Sequence, residues 1–268
     1  MALYSETQAT LRQSIARTFD DMVMGTAETN STTNTVICSY LLKSDDYYNG
    51  WDCHFYEGIH AGQSREITDF NATSDTLTFI PVVVTAVATN DKFELHKKFT
   101  TEQYNDTINR SIKKAQKIFM YETIDETTAL ATNTYEYNVP STFKYIDDIW
   151  IENATIANAY NSENQIDDRN WSILHGTTPK IKFDDRSFPI GSAYNGLNVR
   201  IHGMAMQAAL SNDSDACVLP PEYVIQQSVA LLHQQKGELE RFKAAQSIAQ
   251  NIYDRMIQSP PIGSRSVY

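Results

Sequence analysis

Apolar residues recur along this chain with two different periods, and the change from one period to the other most constrains the fold. Near the amino terminus, Leu11 and Ile15 follow each other at helical spacing. Between residues 36 and 97, apolar residues such as Leu77 and Phe79 instead alternate with polar ones, a period typical of half-buried strands. Helical spacing returns near residue 104 and again after residue 220. Long blocks of each kind predict an α+β fold, in which helices pack with antiparallel β modules.

Two capping boxes mark the starts of predicted helices. Ser5-Glu6-Thr7-Gln8 and Thr100-Thr101-Glu102-Gln103 each place a hydroxyl and an amide side chain three residues apart, where they satisfy each other's free backbone amides. The first box predicts a helix of about five turns that ends at Gly25. The second predicts an amphipathic helix whose apolar face runs from Tyr104 to Phe119.

A second β-rich region is predicted between residues 121 and 216. Alternating residues end at Pro140 in its first run, and further runs follow after that proline. Because proline is excluded from the middle of a sheet, each run is read as a separate strand. The candidate strands cover residues 135–139, 143–152, 171–174, 180–183 and 197–202.

The carboxy-terminal quarter has helical spacing again. Pro220-Pro221 fixes the backbone for a helix start, and Gly237 marks a break, so residues 217–257 are predicted to form a helical pair. These patterns divide the chain into a helix plus β module over 1–120, a second β-rich region over 121–216, the helical pair, and an extended tail over 258–268. The second helix has an apolar stripe at three- and four-residue steps, formed by Phe242, Ala245, Ala249, Ile252 and Met256.

The tail after residue 258 lacks any core pattern. Its Pro-Pro start cannot continue a helix, and a segment restricted by proline loses little freedom when it binds. We therefore predict that the tail is an arm that contacts a neighbouring subunit. The residues expected at that interface are Pro260, Pro261, Arg265, Val267 and Tyr268.

The charge of the chain limits its partners. It has 22 basic and 33 acidic residues and a net charge of −11, which argues against a general grip on nucleic acid because phosphate binding needs clustered lysine and arginine. An acidic wall repels phosphate and so suits a conduit for DNA. The wide spacing of Cys38, Cys53 and Cys217 does not predict a disulfide framework and indicates a reducing compartment. No secretory leader or membrane-spanning run is predicted.

No catalytic, cofactor-binding or metal-binding residue is predicted. His54 and His60 flank Glu57 near Cys53, a set of residue types that metal sites use, but His54 alternates with apolar residues and is expected on the solvent-facing side of a strand. The oxygen-rich residues 161–168 lack the glycine of an EF-hand loop. Asp pairs at 147–148, 167–168 and 184–185 would point to opposite faces of a strand, which makes them poor acid–base partners. The chain is therefore predicted not to be an enzyme.

One stretch of the chain contains several short sequence motifs in a characteristic order. Tyr47-Tyr48-Asn49-Gly50-Trp51 precedes Gly58 and the run Ala61-Gly62-Gln63-Ser64-Arg65-Glu66-Ile67-Thr68-Asp69-Phe70, and Thr76-Leu77-Thr78-Phe79 follows. This order resembles a β module of structural proteins of tailed phages. Ile108-Asn109-Arg110-Ser111-Ile112 resembles the helix that follows the module in such proteins. Over residues 1–120 the chain thus resembles tailed-phage neck proteins, the head-to-tail adaptor or connector family.

The resemblance implies a structural virion protein rather than an enzyme. It implies a homo-oligomeric ring, usually a dodecamer, between the portal protein and the tail or neck proteins, with DNA only as passing cargo and no membrane or cofactor. The expected location is the virion, with assembly in the host cytoplasm. The alternative is a virion fibre, decoration or receptor-binding protein, which would use Trp51, Trp150 and Trp171 on a carbohydrate-facing surface. A hydrolase that uses Asp or Glu is a third hypothesis, and no constellation of residues supports it.

Overall fold

A computed structural model describes residues 4–116, 118–256 and 265–267. Contacts divide the described chain into two compact units. Unit 1 comprises the residues up to Ala115 together with Ala209–Arg255, and unit 2 comprises Gln116–Ala208 together with the described residues after Arg255. The helical pair therefore belongs to unit 1 and does not form the separate region that its place in the sequence suggested. The spacing of apolar residues indicates local secondary structure, but it does not indicate which segments that are distant in sequence pack together.

The described residues form four α-helices and 15 strands, and the α+β fold class is confirmed. In chain order, those up to residue 115 are β1 (Glu6–Thr7), α1 (Gln8–Thr18), β2 (Val23–Thr26), β3 (Thr35–Ile37), β4 (Asp52–Glu57), β5 (Gln63–Asn71), β6 (Thr76–Ile80), β7 (Lys92–His96) and α2 (Thr101–Ala115). Those that follow are β8 (Tyr121–Ala129), β9 (Glu136–Asn138), β10 (Phe143–Ile151), β11 (Trp171–Leu174), β12 (Lys180–Phe183), β13 (Asn198–Ala205), β14 (Ala216–Cys217), α3 (Pro221–Gln235), α4 (Leu239–Arg255) and β15 (Arg265–Ser266).

The main sheet of unit 1 has six antiparallel strands in the order β2-β7-β4-β5-β6-β3. One face of this sheet carries the apolar core, where Cys53 and Phe55 of β4 lie beside Phe93 and Leu95 of β7, all of them fully buried. Gly58 in the turn after β4 has φ +108, a conformation that residues with a side chain rarely adopt. The period-two alternation therefore predicted this sheet and its buried face.

The second capping box is confirmed at the start of α2. Thr100 N donates to Gln103 Oε1 at 2.9 Å, and Gln103 N donates to Thr100 Oγ1 at 3.3 Å. Tyr104 lies on the buried face of the helix, as its spacing predicted. The helix ends at Ala115, so Phe119 is buried beyond the helix rather than on it.

The first helix is shorter than its pattern predicted. It has 11 residues, and its N-cap is Thr7 rather than Ser5. The prediction of about five turns was wrong because the chain reverses at Asp20, which has φ +49. Gly25 does not end the helix and instead lies in β2, where it pairs with Phe93.

The carboxy-terminal helical pair is confirmed. Pro220 is the N-cap of α3, and Gly237, with φ +73, lies between α3 and α4. Ala245 and Ala249 are the buried residues of α4, which packs along α3, whereas Ile252 is only partly buried. Of the helices in the described ranges, none is long and apolar enough to cross a membrane.

Unit 2 contains two antiparallel sheets that share one apolar core. Their strand orders are β15-β10-β13-β8 and β11-β12-β9. Ile149 of β10, Ile201 of β13 and Ile181 of β12 all contribute to that core. Each of the five candidate strands predicted in this region is present, with β9 shorter than its predicted range.

Candidate functional site

The polar face of the main sheet in unit 1 is covered by protein and not by solvent. Glu94 and His96 alternate with core residues along β7, as His54 does along β4, and all three are buried. Side chains of α1, α2 and the segment 209–217 contact this face. The solvent-facing position predicted for His54 was wrong, because alternation shows which residues share a face but not what covers that face.

Arg12 of α1 lies at the centre of a buried polar cluster on this face. Its Nε donates to Glu94 Oε1. Its Nη1 donates to Asp213 Oδ1 at 2.6 Å and to Asn105 Oδ1 at 3.1 Å. One guanidinium therefore connects α1 to β7, to α2 and to the segment that precedes β14.

Asp213 also binds His54. Its Oδ2 lies 2.6 Å from His54 Nε2, and the second ring nitrogen, Nδ1, lies 2.8 Å from Ser64 Oγ on β5. When the ring proton is on Nε2, the ring donates to Asp213 and accepts from the Ser64 hydroxyl. The three side chains then form a continuous relay, and a cleft of about 430 Å³, lined by His54, Asp213 and Tyr56, lies beside it.

Asp21, which follows α1, anchors the turn between β7 and α2. Its carboxylate accepts hydrogen bonds from the amides of residues 97, 98 and 99 at 2.8, 2.6 and 3.0 Å. It also accepts one from the hydroxyl of Tyr104 at 2.7 Å, and its backbone oxygen lies 2.8 Å from His96 Nδ1. His96 Nε2 is 3.3 Å from Glu94 Oε1, which makes an ionic contact and extends the polar cluster to this turn.

Burial and pairing change the pKa values of the cluster in opposite directions. Burial opposes the charged form of Arg12, but Glu94 and Asp213 outweigh it and raise the pKa of Arg12. Burial alone would raise the pKa values of Asp213 and Glu94, yet hydrogen bonds and charge lower both, from His54 and Arg12 for Asp213 and from His96 and Arg12 for Glu94. Burial alone would lower the pKa of His96, but Glu94 raises it. The raised pKa of Arg12 and the lowered pKa values of Asp213 and Glu94 all favour the charged forms of these side chains.

The Ser64–His54–Asp213 relay has the order of groups that activates a serine nucleophile, but its surroundings favour a structural role. Arg12 binds the same carboxylate, so less of the charge of Asp213 is available to stabilise a protonated His54. The side chains of His54 and Asp213 are only 3% and 8% exposed. Ser64 is not among the described residues that line the 430 Å³ cleft. The hydrogen bonds of the relay join two strands to the 209–217 segment.

The cysteine and histidine side chains around β4 are buried. Burial raises the pKa of Cys53 well above its usual value and raises the pKa of Cys217 to about 11, and a protonated thiol is a poor nucleophile or metal ligand. His60 is buried, while Glu57 pairs with Lys92 at 2.7 Å. Across the described part of the chain, no group of three or more His, Cys, Asp or Glu side chains is arranged to hold a metal ion.

The oxygen-rich residues 161–168 lie beside a cleft of about 530 Å³ in unit 2, whose lining includes Glu163 and Asp167. Asp167 Oδ1 accepts a hydrogen bond from Arg169 N at 2.8 Å and so caps a short helical turn. Asp184 accepts one from Ser187 Oγ at 2.9 Å. Asp167 and Asp184 thus make separate local hydrogen bonds, whereas both carboxylate oxygens of Asp147 are buried without a hydrogen-bond partner among the described residues.

Two of the five tail residues predicted at an interface are described, and both contact their own chain. Arg265 lies in β15, which pairs with β10, and its guanidinium stacks over the ring of Trp171 at 4.0 Å. Val267 is 1% exposed in the core of unit 2, and its amide donates to Lys144 O at 2.9 Å. Val267, which was predicted to contact a neighbouring subunit, thus contributes to the core of unit 2 in its own chain. Pro260, Pro261 and Tyr268 lie outside the described residues.

Sequence reasoning did not find Arg12 or Asp213. The signal for Arg12 was its position next to Leu11 and one turn before Ile15 and Ala16 on the buried stripe of α1, because a charged residue on such a stripe requires a buried partner. Asp213 had no comparable signal, since it lies in a polar loop.

Comparison with protein-family models and with curated proteins finds no match to this chain.

Proposed function

We propose that this chain is a structural virion protein, a head-to-tail adaptor that forms a ring between the portal and tail of a tailed phage and lines the DNA conduit. The proposal rests on the β module of residues 47–79 and on the helix α2 that follows it. The short sequence motifs of both resemble those of tailed-phage neck proteins. In the structure the first motif, residues 47–51, lies in the turn that leads into β4, and the next two lie mainly on β5 and β6. These three strands are neighbours in one sheet.

Several of the residues that carry the resemblance are core residues. Trp51, Ile67, Phe70, Leu77 and Phe79 are all buried in the same apolar cluster. A pattern made of buried, mutually contacting side chains specifies a fold and not a reaction. This supports a scaffold role for the module.

The distribution of lysines supports a passive relation to DNA. The amine of Lys97 lies over the rings of Tyr47 and Trp51, at 5.8 and 5.7 Å from their centroids. The amine of Lys98 donates to the backbone oxygen of Phe19. Both cations of this pair are thus engaged within unit 1, in a chain whose acidic residues outnumber its basic ones by 33 to 22.

The test of the adaptor is assembly. The full chain would be examined by light scattering and negative-stain microscopy, alone and mixed with the portal protein of the same phage. We expect a closed ring in one or both samples. A chain that stays monomeric and does not bind the portal would contradict the proposal.

The conduit role has a separate test, which is a titration with duplex DNA at low salt, where screening is weakest. We expect no binding, because an acidic surface repels phosphate. Tight binding that weakens as salt rises would contradict the conduit and indicate a nucleic-acid-binding protein.

A virion fibre, decoration or receptor-binding protein remains the alternative, but the tryptophans that it would use do not form a surface. Trp51 and Trp171 are only 7% and 3% exposed, and only Trp150 of the three is partly accessible. A trimer in the assembly experiment would favour this alternative over the ring.

The Ser64–His54–Asp213 relay is the one observation that favours a hydrolase. A fluorophosphonate probe reacts with an activated serine, so we expect no labelling of the folded chain. Labelling that is lost in Ser64→Ala would show that the relay is catalytic.

A further inference from the structure

The 530 Å³ cleft of unit 2 has the size and the apolar floor of a small-molecule site. Such sites typically occupy about 300–1,000 Å³. Buried Ile151 and Ile166 and partly buried Leu197 line it. The rings of Phe188 and Tyr194 form one aromatic wall, with centroids 5.5 Å apart and planes inclined at 47°.

Polar groups without partners surround that apolar surface. Glu163, Asn164, Asn170 and Tyr194 all line the cleft, and none of their side chains makes a hydrogen bond to another described residue. Amides can donate and accept, a carboxylate accepts, and a phenol does both. The lining therefore offers both donors and acceptors beside an aromatic surface.

The charge of the cleft excludes anionic ligands. Glu152, Glu163 and Asp167 line it, and no basic side chain does among the described residues. Hydrogen bonds from the amides of Asn158 and Asn198 hold Glu152 in place, at 2.6 and 3.0 Å. Three carboxylates repel phosphates, sulfates and carboxylates, and they accept strong hydrogen bonds from hydroxyl or ammonium donors.

We propose that this cleft binds a neutral or amino sugar. A sugar ring has an apolar C–H face, which packs on the negative face of an aromatic ring, and hydroxyls around its edge, which donate to carboxylates and exchange hydrogen bonds with amides. Tyr194 and Phe188 would bind the C–H face, while Glu163, Asn164 and Asn170 would bind the edge. This glycan-binding function is additional to assembly and does not depend on it.

The experiment is a titration of the full chain by calorimetry and ligand-observed NMR with three probes of different charge. These are N-acetylglucosamine oligomers, which are neutral, glucosamine, which is cationic, and galacturonic acid, which is anionic. We expect saturable binding of the neutral or the cationic probe and at least about tenfold weaker binding of the anionic one, equivalent to about 1.4 kcal/mol.

Variants locate the binding in the cleft. Tyr194→Ala removes the aromatic wall and is expected to weaken binding about tenfold, whereas Tyr194→Phe keeps the ring and is expected to weaken it less. Tyr40→Ala is the matched control, because Tyr40 is a highly exposed tyrosine of unit 1, and it should leave binding unchanged. Glu163→Gln alters an exposed side chain, so it preserves the fold and should weaken the cationic probe most.

Three results would overturn the inference: binding of none of the neutral and amino glycans at millimolar concentration, preference for the anionic probe, or binding that survives both Tyr194→Ala and Glu163→Gln. If circular dichroism shows that Tyr194→Ala unfolds, Glu163→Gln decides. Ring formation is measured separately by light scattering, so a failure of glycan binding leaves the adaptor proposal unaffected.

Discussion

Replacing Arg12 with Met tests whether the buried cluster of unit 1 holds its helices to its sheet. Methionine keeps the unbranched apolar stem of the arginine and removes the guanidinium that contacts Glu94, Asp213 and Asn105. Both carboxylates would stay inside the protein without the cation that contacts them both.

The magnitude follows from the burial of the pair. The side chains of Arg12 and Glu94 are both fully buried. Removal of one partner from such a pair costs about 3–5 kcal/mol, because the other charge is left uncompensated. Each kcal/mol lowers Tm by about 2–4 °C in a protein of this size, so we expect Arg12→Met to lower the Tm of unit 1 by about 6–20 °C.

The assays are urea unfolding, calorimetry and amide hydrogen exchange of α1 and β7. Arg110→Met is the matched control, because Arg110 forms a solvent-exposed pair with Asp106 at 3.7 Å, and such pairs contribute about 0–1 kcal/mol. Adding Glu94→Gln and Asp213→Asn to Arg12→Met should restore part of the stability by removing the unpaired charges. A loss in Arg12→Met no larger than in Arg110→Met would refute the role of the cluster.

Three further predictions concern pH and packing. The pKa of Glu94 is lowered, so Glu94 contributes stability above about pH 4.5, and that stability is lost as pH falls through its folded-state pKa. The pKa of His96 is raised, so His96 contributes stability below about pH 6.5, and that stability is lost as pH rises through its folded-state pKa. Thermal melts across this range should therefore show a maximum between the two limbs, and an alkaline limb that is undiminished in His96→Gln would contradict the assignment. Gly203→Ala should destabilise unit 2 by about 1–3 kcal/mol, because the added Cβ would lie 2.2 Å from a backbone oxygen of β10, whereas Gly176→Ala has open space and should leave the melt unchanged. Val267→Asp should bury an unpaired charge in the core of unit 2 and increase hydrogen exchange in β10, and unchanged exchange would mean that Val267 is not a core residue.

Local structure could be predicted from the sequence wherever the decisive contacts lie close together in the chain. The reciprocal hydrogen bonds of Thr100 and Gln103 span only three residues, so the box identified the helix start correctly. The strands at 171–174 and 180–183 were predicted with the bounds that the structure has. In these cases propensity, spacing and capping all act within a few residues.

Features set by distant contacts could not be predicted in this way. The length of α1 depends on where the chain reverses at Asp20, and helical spacing alone continues past that point. The burial of His54 depends on Asp213, which is 159 residues away in sequence. The placement of Val267 in a core depends on its pairing beside Lys144. No local pattern reports partners at such separations.

The buried cluster also bears on why unit 1 is assembled from two separate parts of the chain. An apolar sheet face could be covered by any amphipathic helix, and the chain contains several. A segment that packs on the sheet face containing Glu94 and His54 must supply a polar partner for them. These partners are Arg12, near one end of the sequence, and Asp213, 201 residues later. Buried ionic contacts of this kind add little to stability compared with apolar packing, but they penalise every wrong pairing with an uncompensated charge. A closed ring requires each copy to present the same surfaces, so a single arrangement of helices on the sheet is what a ring-forming subunit would need.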